Sequence, residues 1–493
     1  METKADAATK AEAETVEDVS LQESAHTWPS TKKSLIFLTL CLTAFASTTT
    51  ILANASGLLV QAQEYEMHAE YLSYTLSATL GGSAIGPFIW EIFSRKFGKA
   101  ATIFTASNML WIFNIWSAVC RGSNAYGSFI ASRTLWPYHH GAVLDQQEGK
   151  CIWDLELWSN AWVSLFPQQW QLQPELIVRD LAQWPVQFWY NVGLNALITL
   201  FVFVFLEETG PSSTGLYVNP KTESWASRRL YLIPGFKSHR YTYSTSQFVD
   251  TLTVPWLILV SPHALIACFA LLVYFGFAAG VNNVLAVLLQ TPVAHGGYGL
   301  NAKQNSNFLF AQWVGVFLAL AYGAAYGDRL PLLLARRNNG RWKPEFRLIA
   351  LFLPCLVFFP IGYVVTGCAL ARHWNLPTIG FASALIAGST VLVISSLVAY
   401  LTETFQRHQS EANIMTNLAR LGWGIALPFA IFRWEEQLGL EWMFGMMAIF
   451  HWVCFVPVLV LFFKGDALRA LALGAVRTEP SEAEADVPAF GGH

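Results

Sequence analysis

Few side chains in this sequence could do chemistry, and most of those stand alone in oily surroundings. Asn54, Asn283, Gln290 and Gln312 each interrupt a stretch of apolar residues, and an amide offers both donor and acceptor for orienting a small organic molecule. Asn283 and Gln290 are seven residues apart, about 20° around a 3.6-residue helix, so they could face one cavity. The alternative for each amide is a hydrogen bond to a neighbouring helix, which needs no ligand. Arg420 is the charge within the run Ala412 to Phe432, and a cation there requires a partner or a watery path. Glu403 or Glu411 could pair with it, as a gate or as a structural ion pair. His451 titrates in a useful range, but among Phe450, Trp452 and Phe455 it reads as a packed side chain.

Such groups recognise and pair charge; they do not make or break bonds. The chain contains no nucleophile triad, metal cluster, phosphate loop or nucleotide fingerprint, and so no call for a cofactor. Gly81-Gly82 and Gly296-Gly297 read as helix-packing and turn glycines. Seven cysteines form neither a CxxC nor a zinc spacing. An enzyme is excluded on these grounds, and no nucleic-acid signal is present.

The elements that hold these residues must live in lipid. Of 493 residues, 54% are hydrophobic and 13% charged, against about a quarter charged in soluble proteins. The apolar residues gather into long runs: Ser34 to Leu59, Tyr71 to Trp90, Ala100 to Cys120, Phe188 to Leu206 and Pro262 to Leu289. They continue with Asn307 to Gly327, Leu348 to Leu370, Leu376 to Thr402, Ala412 to Phe432 and Trp442 to Phe463. Roughly 18 apolar residues suffice to cross as a helix, and unbroken runs exclude a barrel of alternating strands. The fold class is an all-α membrane protein.

Basic residues orient the bundle. Lys32, Lys33, Arg95, Lys96, Lys99 and the group Arg329, Arg336, Arg337, Arg341, Lys343 and Arg347 belong inside. The stretch Val60 to Glu70 has no cation, and Lys303, Arg372 and Arg433 stand alone in theirs, so these loops belong outside. The sequence therefore predicts a disordered cytoplasmic tail over 1–32, a helical bundle over 33–206, a cytoplasmic linker over 207–255, a six-helix bundle over 256–465 and a disordered cytoplasmic tail over 466–493. Within the first bundle, 121–185 is divergent: its His, Asp, Glu and Lys residues suit no ordinary span. Because the loops at Arg95 and Arg228 are both cytoplasmic, two or four spans separate them, the extra pair being weak runs at Asn124 to Tyr138 and Leu157 to Pro174.

Several local patterns resemble one family. Asp328-Arg329-Leu330-Pro331, Ala335-Arg336-Arg337-Asn338 and Trp342-Lys343-Pro344-Glu345-Phe346-Arg347-Leu348 look like the loop between spans eight and nine of the major facilitator superfamily, in its fungal drug:proton antiporter-like branch of twelve spans. Gly86-Pro87-Phe88-Ile89-Trp90, Glu403-Thr404-Phe405 with Asn417 and Arg420, and Phe444-Gly445-Met446-Met447 add to the likeness, which covers about Lys32 to Gly465 except Trp136 to Ala182. In Ser94-Arg95-Lys96-Phe97-Gly98-Lys99, Arg95 stands where the family has an acid; after Arg133, Trp136 and Pro137 replace the expected Gln and Gly; the fifth-span glycine-proline signature is absent.

The resemblance implies a two-bundle, six-plus-six fold with spans four and five defective. It also implies gating or coupling roles for Arg133, Asp328, Arg329, Glu403 and Arg420, with Asp328-Arg329 either latching the inward gate or capping a helix. The function implied is proton-coupled export of a small organic molecule, such as a secondary metabolite or xenobiotic, by a monomer in the plasma membrane with both termini cytoplasmic. Uptake of a nutrient or cationic amine, and a transport-inactive membrane scaffold, are the other readings. The partners are then the small molecule, the proton and the lipid bilayer.

Overall fold

The computed structural model of the protein describes residues 29–52, 58–135, 184–206, 224–230, 232–234, 245–327 and 329–472. Asn54, Asp328 and the run Leu157 to Pro174 lie outside the described residues.

With no water to satisfy the backbone, apolar runs close their hydrogen bonds internally as helices, and helices are what each described run forms. The first half contains α1 (Ser30–Leu52), the short α2 (Leu58–Glu64), α3 (Ala69–Phe97), α4 (Lys99–Val119), α5 (Tyr126–Leu135) and α6 (Val186–Phe205). Two helices follow in the connecting stretch, α7 (Trp225–Leu230) and α8 (Thr245–Val260), the second crossing residue 255 where the linker is expected to end.

The second half begins with α9 (Pro262–Gln290), whose Pro262 stands in the first turn, where its missing N–H is no loss. Next comes α10 (Ala302–Tyr322), started by a reciprocal cap in which Asn301 accepts from the Gln304 amide and Gln304 accepts from Asn301 N–H. A π turn (Gly323–Gly327) leads to the amphipathic α11 (Arg329–Arg337). The ninth span starts as a 3-10 helix (Pro344–Leu351), passes a π turn (Pro354–Phe358) and ends as α12 (Phe359–Ala371). Then follow α13 (Leu376–Thr404) and α14 (Gln409–Ala470).

The 62 residues of α14 would measure about 93 Å if straight, roughly three hydrocarbon thicknesses. The helix instead breaks at Gly439, whose φ of 75° is open to glycine at little cost. The runs Ala412 to Phe432 and Trp442 to Phe463 are thus the two arms of one reversal. At one end the second arm returns through ion pairs of Asp466 with Lys343 and of Arg469 with Glu345 (2.5 Å). Arg372 meets Glu441 at 2.7 Å at the other. The first of these ends, which also carries Arg95, Lys96, Arg336 and Arg337, is called the basic end below.

Packing is densest in the second half. One continuous buried cluster joins α9, α12, α13 and both arms of α14. Because lipid is as apolar as leucine, close approach rather than burial must hold such helices together. The contact of α10 with α13 illustrates this: a Cβ built on Gly315 would lie 2.0 Å from the Ala384 carbonyl oxygen, and one on Gly388 would lie 2.5 Å from the Gly315 carbonyl oxygen. In the first half, α6 packs on α4 and α1, and an aromatic group of Tyr65, Phe129, Trp184 and Phe188 closes the end opposite the basic one. Glu64 there accepts from the Trp184 indole and from Arg121 (3.3 Å), while Tyr65 donates to the Cys120 carbonyl at 2.7 Å. Burial pushes the Tyr65 hydroxyl up, so it remains a proton donor at every physiological pH.

Candidate transport site

The two halves meet along α3 and the first arm of α14, which touch at three depths. At the basic end, Arg95 in the last turn of α3 donates from Nε to Glu91 Oε1 at 2.7 Å, one turn earlier on its own helix. Its Nη2 donates to Glu411 Oε1 in the first turn of α14. Both carboxylates are buried and Arg95 is a third exposed, while His408 Nδ1 lies 3.9 Å from Glu411 Oε2. Although Arg95 occupies a place where an acid is expected, the charge contact between the halves is made, with its sign reversed.

Midway along α3, the Asn417 amide donates to the Ser83 carbonyl across the halves at 2.9 Å. Arg420 donates from Nη2 to Asn417 Oδ1 at 2.8 Å, and its guanidinium lies 5.6 Å from the centre of the Phe275 ring on α9. Leu80 and Ala84 pack on Leu421 beside them. Towards the other end, Tyr74 stacks on Phe429 at 4.4 Å.

The acids expected to pair with Arg420 are both engaged elsewhere, which corrects that reading. Glu403, at the end of α13, accepts from Arg347 Nη2 at 2.8 Å and from the Trp342 indole at 3.2 Å. Glu411 is committed to Arg95. The reason is distance: nine residues of helix separate Glu411 from Arg420, about 13 Å along the axis.

Of the amides, Gln312 is buried and donates to Asn282 Oδ1 at 2.8 Å, joining α10 to α9. Gln290 donates to the Ala286 carbonyl at 3.0 Å, one turn back on its own helix. Asn283 lies in α9 with its side chain outside the described residues, and Asn54 is likewise outside them. Arg133 is buried in α5 with its guanidinium 5.7 Å from the Phe188 ring centre. Arg329 is exposed at the start of α11, and Asp328 lies outside the described residues. The structure therefore brings Arg420 to the contact of the halves, keeps Gln312 within the second half, and leaves Glu403 and Arg329 at the basic end.

His451 sits away from that contact. Its Nδ1 is 2.6 Å from the Met447 carbonyl, and Tyr274, Phe359 and Tyr363 surround its ring at 4.8, 4.7 and 4.5 Å. It is a packed core residue of the second half.

Sequence reasoning missed two features. Asn282, which the sequence does not single out, meets Gln312. On α6, Gln187, Asn191, Asn195 and Thr199 are all buried, and each of the last three bonds the carbonyl four residues back, at 2.8 to 2.9 Å. Their regular spacing of four was a visible signal of a polar stripe. Separately, a groove of about 800 Å³ runs between α10 and α13, walled by Phe308, Val314, Leu318, Phe381 and Leu385 with Gln304 and Asn307 at one end.

No protein-family model matches the chain. It is 25% identical over 414 residues to an efflux pump, radE, of Floropilus chiversii, covering 81% of this chain and 73% of that protein. It is 22% identical over 452 residues to an efflux pump, vrtL, of Penicillium aethiopicum, and 24% over 440 residues to an MFS transporter, cpaT, of Aspergillus oryzae. Each of those two matches covers 86% of this chain and 84% of the relative. The xylose transporter XylE of E. coli, in a partially occluded inward-open conformation, superposes with a TM-score of 0.59 at 12% identity, covering 88% of this chain and 98% of that one. Two apposed helical bundles of this kind, with relatives of this kind, define a multi-pass membrane transporter and not an enzyme. The chain has the major facilitator fold and is similar in sequence to fungal efflux pumps and MFS transporters.

Proposed function

We propose that the protein exports a small apolar or amphipathic organic molecule in exchange for protons, by alternating exposure of a site between its two halves. The observation that carries this reading is the cross-half contact of Arg95 with Glu411 at the basic end. Such a contact can form when the halves close at that end and must break when they part there. The direction of export is supported by relatives named efflux pumps. Apolar cargo is supported by the groove within the second half, between α10 and α13, and proton coupling by the likeness in fold to XylE, a proton:xylose symporter.

In this reading the basic end faces the cytoplasm, as the cation count directs, both tails are cytoplasmic and the plasma membrane is the site of action. The units are a tail over 1–32, whose last residues begin α1, bundles over 33–206 and 256–465, a linker over 207–255, and a tail over 466–493, whose first residues complete α14 with Asp466 and Arg469 in its ion pairs. Asn54, Asn283, Gln290 and Gln312 contact the cargo, and Arg133, Asp328, Arg329, Glu403 and Arg420 serve gating or coupling.

The test compares metabolites inside cells and in the medium, with and without the gene, alongside proteoliposomes holding the purified protein and a pH-sensitive dye. Export predicts retention inside the deleted cells of a compound that also drives proton movement in the vesicles. Depletion of the compound inside deleted cells would mean uptake. No difference in cells and no compound-dependent pH change in vesicles would leave a membrane scaffold.

A further inference from the structure

Arg420 is the one charge in the apolar run 412–432, and among the described residues no carboxylate pairs with it. It lies mostly buried where α3, α9 and α14 converge. Its single hydrogen bond goes to Asn417, its face lies over Phe275, and Nε has no partner. The amide of Asn417 is spent on the same unit, accepting from Arg420 and donating to the Ser83 carbonyl. The hydroxyl of Ser83 is buried and also without a partner. Two unspent donor groups are thus tied to one amide, and helix α9, which supplies the aromatic wall, contains no acidic residue at all.

A cation held among helices is retained when it has something to neutralise it. Since no acid among the described residues meets it, the complement is supplied by the ligand. A group that accepts hydrogen bonds, carries negative charge and presents a flat apolar body to Phe275 fits all three features. A cation is repelled, and a neutral amide leaves the charge uncompensated.

Resting on the transport reading above, we propose that Arg420, Asn417 and Ser83 form the recognition site for the acidic group of an aromatic organic anion, a carboxylate or an ionised phenol, and that the cargo belongs to this class. Arg420 binds the anion directly. Asn417 holds the guanidinium in place and ties the site to α3, so occupation of the site is sensed by both halves. The sequence signal was the lone arginine, but only the three-dimensional arrangement removes its expected acids.

The experiment uses the purified full-length protein in nanodiscs and three probes with one ring system: 1-naphthoate, 1-naphthamide and 1-naphthylmethylamine. Equilibrium dialysis is expected to give saturable naphthoate binding at least tenfold tighter than naphthamide, with the amine weaker still. Arg420→Gln should bring naphthoate down to the naphthamide level without changing naphthamide, and Arg420→Lys should keep part of the preference. Should Arg420→Gln not elute as a single folded species, Ser83→Ala carries the test, with an expected loss of at least threefold for naphthoate alone. The proposal is overturned if naphthoate has no advantage over its amide, whether both bind or neither does, or if the advantage survives Arg420→Gln. Flux into vesicles is read separately. Naphthoate binding without flux keeps the site and sinks the transport reading; flux of neutral compounds without preference for the acid does the reverse.

Discussion

Replacing Arg95 by alanine should loosen the basic end of the molecule by a calculable amount. Arg95 joins two carboxylates whose side chains are 5% and 8% exposed, Glu91 on its own helix and Glu411 on the other half, while itself being 32% exposed. A hydrogen bond to a charged group contributes about 1.5 to 3 kcal/mol, and the partial exposure of the guanidinium favours the lower part of that range, about 2 kcal/mol. Since the bond to Glu411 crosses between the halves, its loss weakens the state in which they are joined at this end. About 2 kcal/mol corresponds to roughly a thirtyfold change in population.

Ser83 offers a reporter for that change. It lies on α3 twelve residues before Arg95, about 18 Å along the helix, and is 1% exposed while its carbonyl holds Asn417. In an otherwise cysteine-free protein, Ser83→Cys should react slowly with a water-soluble maleimide, and Arg95→Ala should speed the reaction by roughly thirtyfold. Glu411→Gln should act in the same direction. The two together should accelerate labelling no more than the stronger one alone, because both remove the same contact. A rate within about twofold of the parent for Arg95→Ala, or additive effects in the pair, would refute the assignment of this contact as the latch.

Three other perturbations test separate elements. Gly315→Ala should destabilise the contact of α10 with α13 by about 1 to 3 kcal/mol, because its Cβ would meet the Ala384 carbonyl; thermal unfolding in detergent should show this, whereas Gly81→Ala, which meets nothing within 4 Å, should be neutral. Gln312→Leu with Asn282→Leu should cost about 0.6 to 1.7 kcal/mol in stability; a rise in KM of tenfold or more beyond that effect would place the pair on the cargo, and an unchanged KM would leave it as an interhelical bond. His451→Phe should leave the pH profile of transport unchanged, since the ring is enclosed by aromatics away from the contact of the halves; a shift of the profile would make it a proton carrier after all.

Much of the fold was legible because lipid imposes a simple rule on sequence. A run such as Pro262 to Leu289 becomes a helix whatever its neighbours do, and the structure places α9 over nearly the same residues. The reversal at Gly439 was legible only as a gap between two runs, since nothing local says that a glycine there takes a positive φ. The site was legible by type and not by partner. Arg420 stood out as a lone charge, yet which acid it met depended on helix register and distance, and among the described residues it met none. The stripe from Gln187 to Thr199 was readable from its spacing.

What the sequence determined alone was the membrane, the helices and the basic end, because each depends on side-chain transfer into lipid, a property of residues taken one stretch at a time. What only the tertiary structure decided was pairing: Arg95 with Glu411, Glu403 with Arg347, Asn282 with Gln312, and Arg420 with an amide in place of an acid. Pairing across helices falls off within a few ångströms, and the rotation and depth of one helix against another are set by the packing of all of them together.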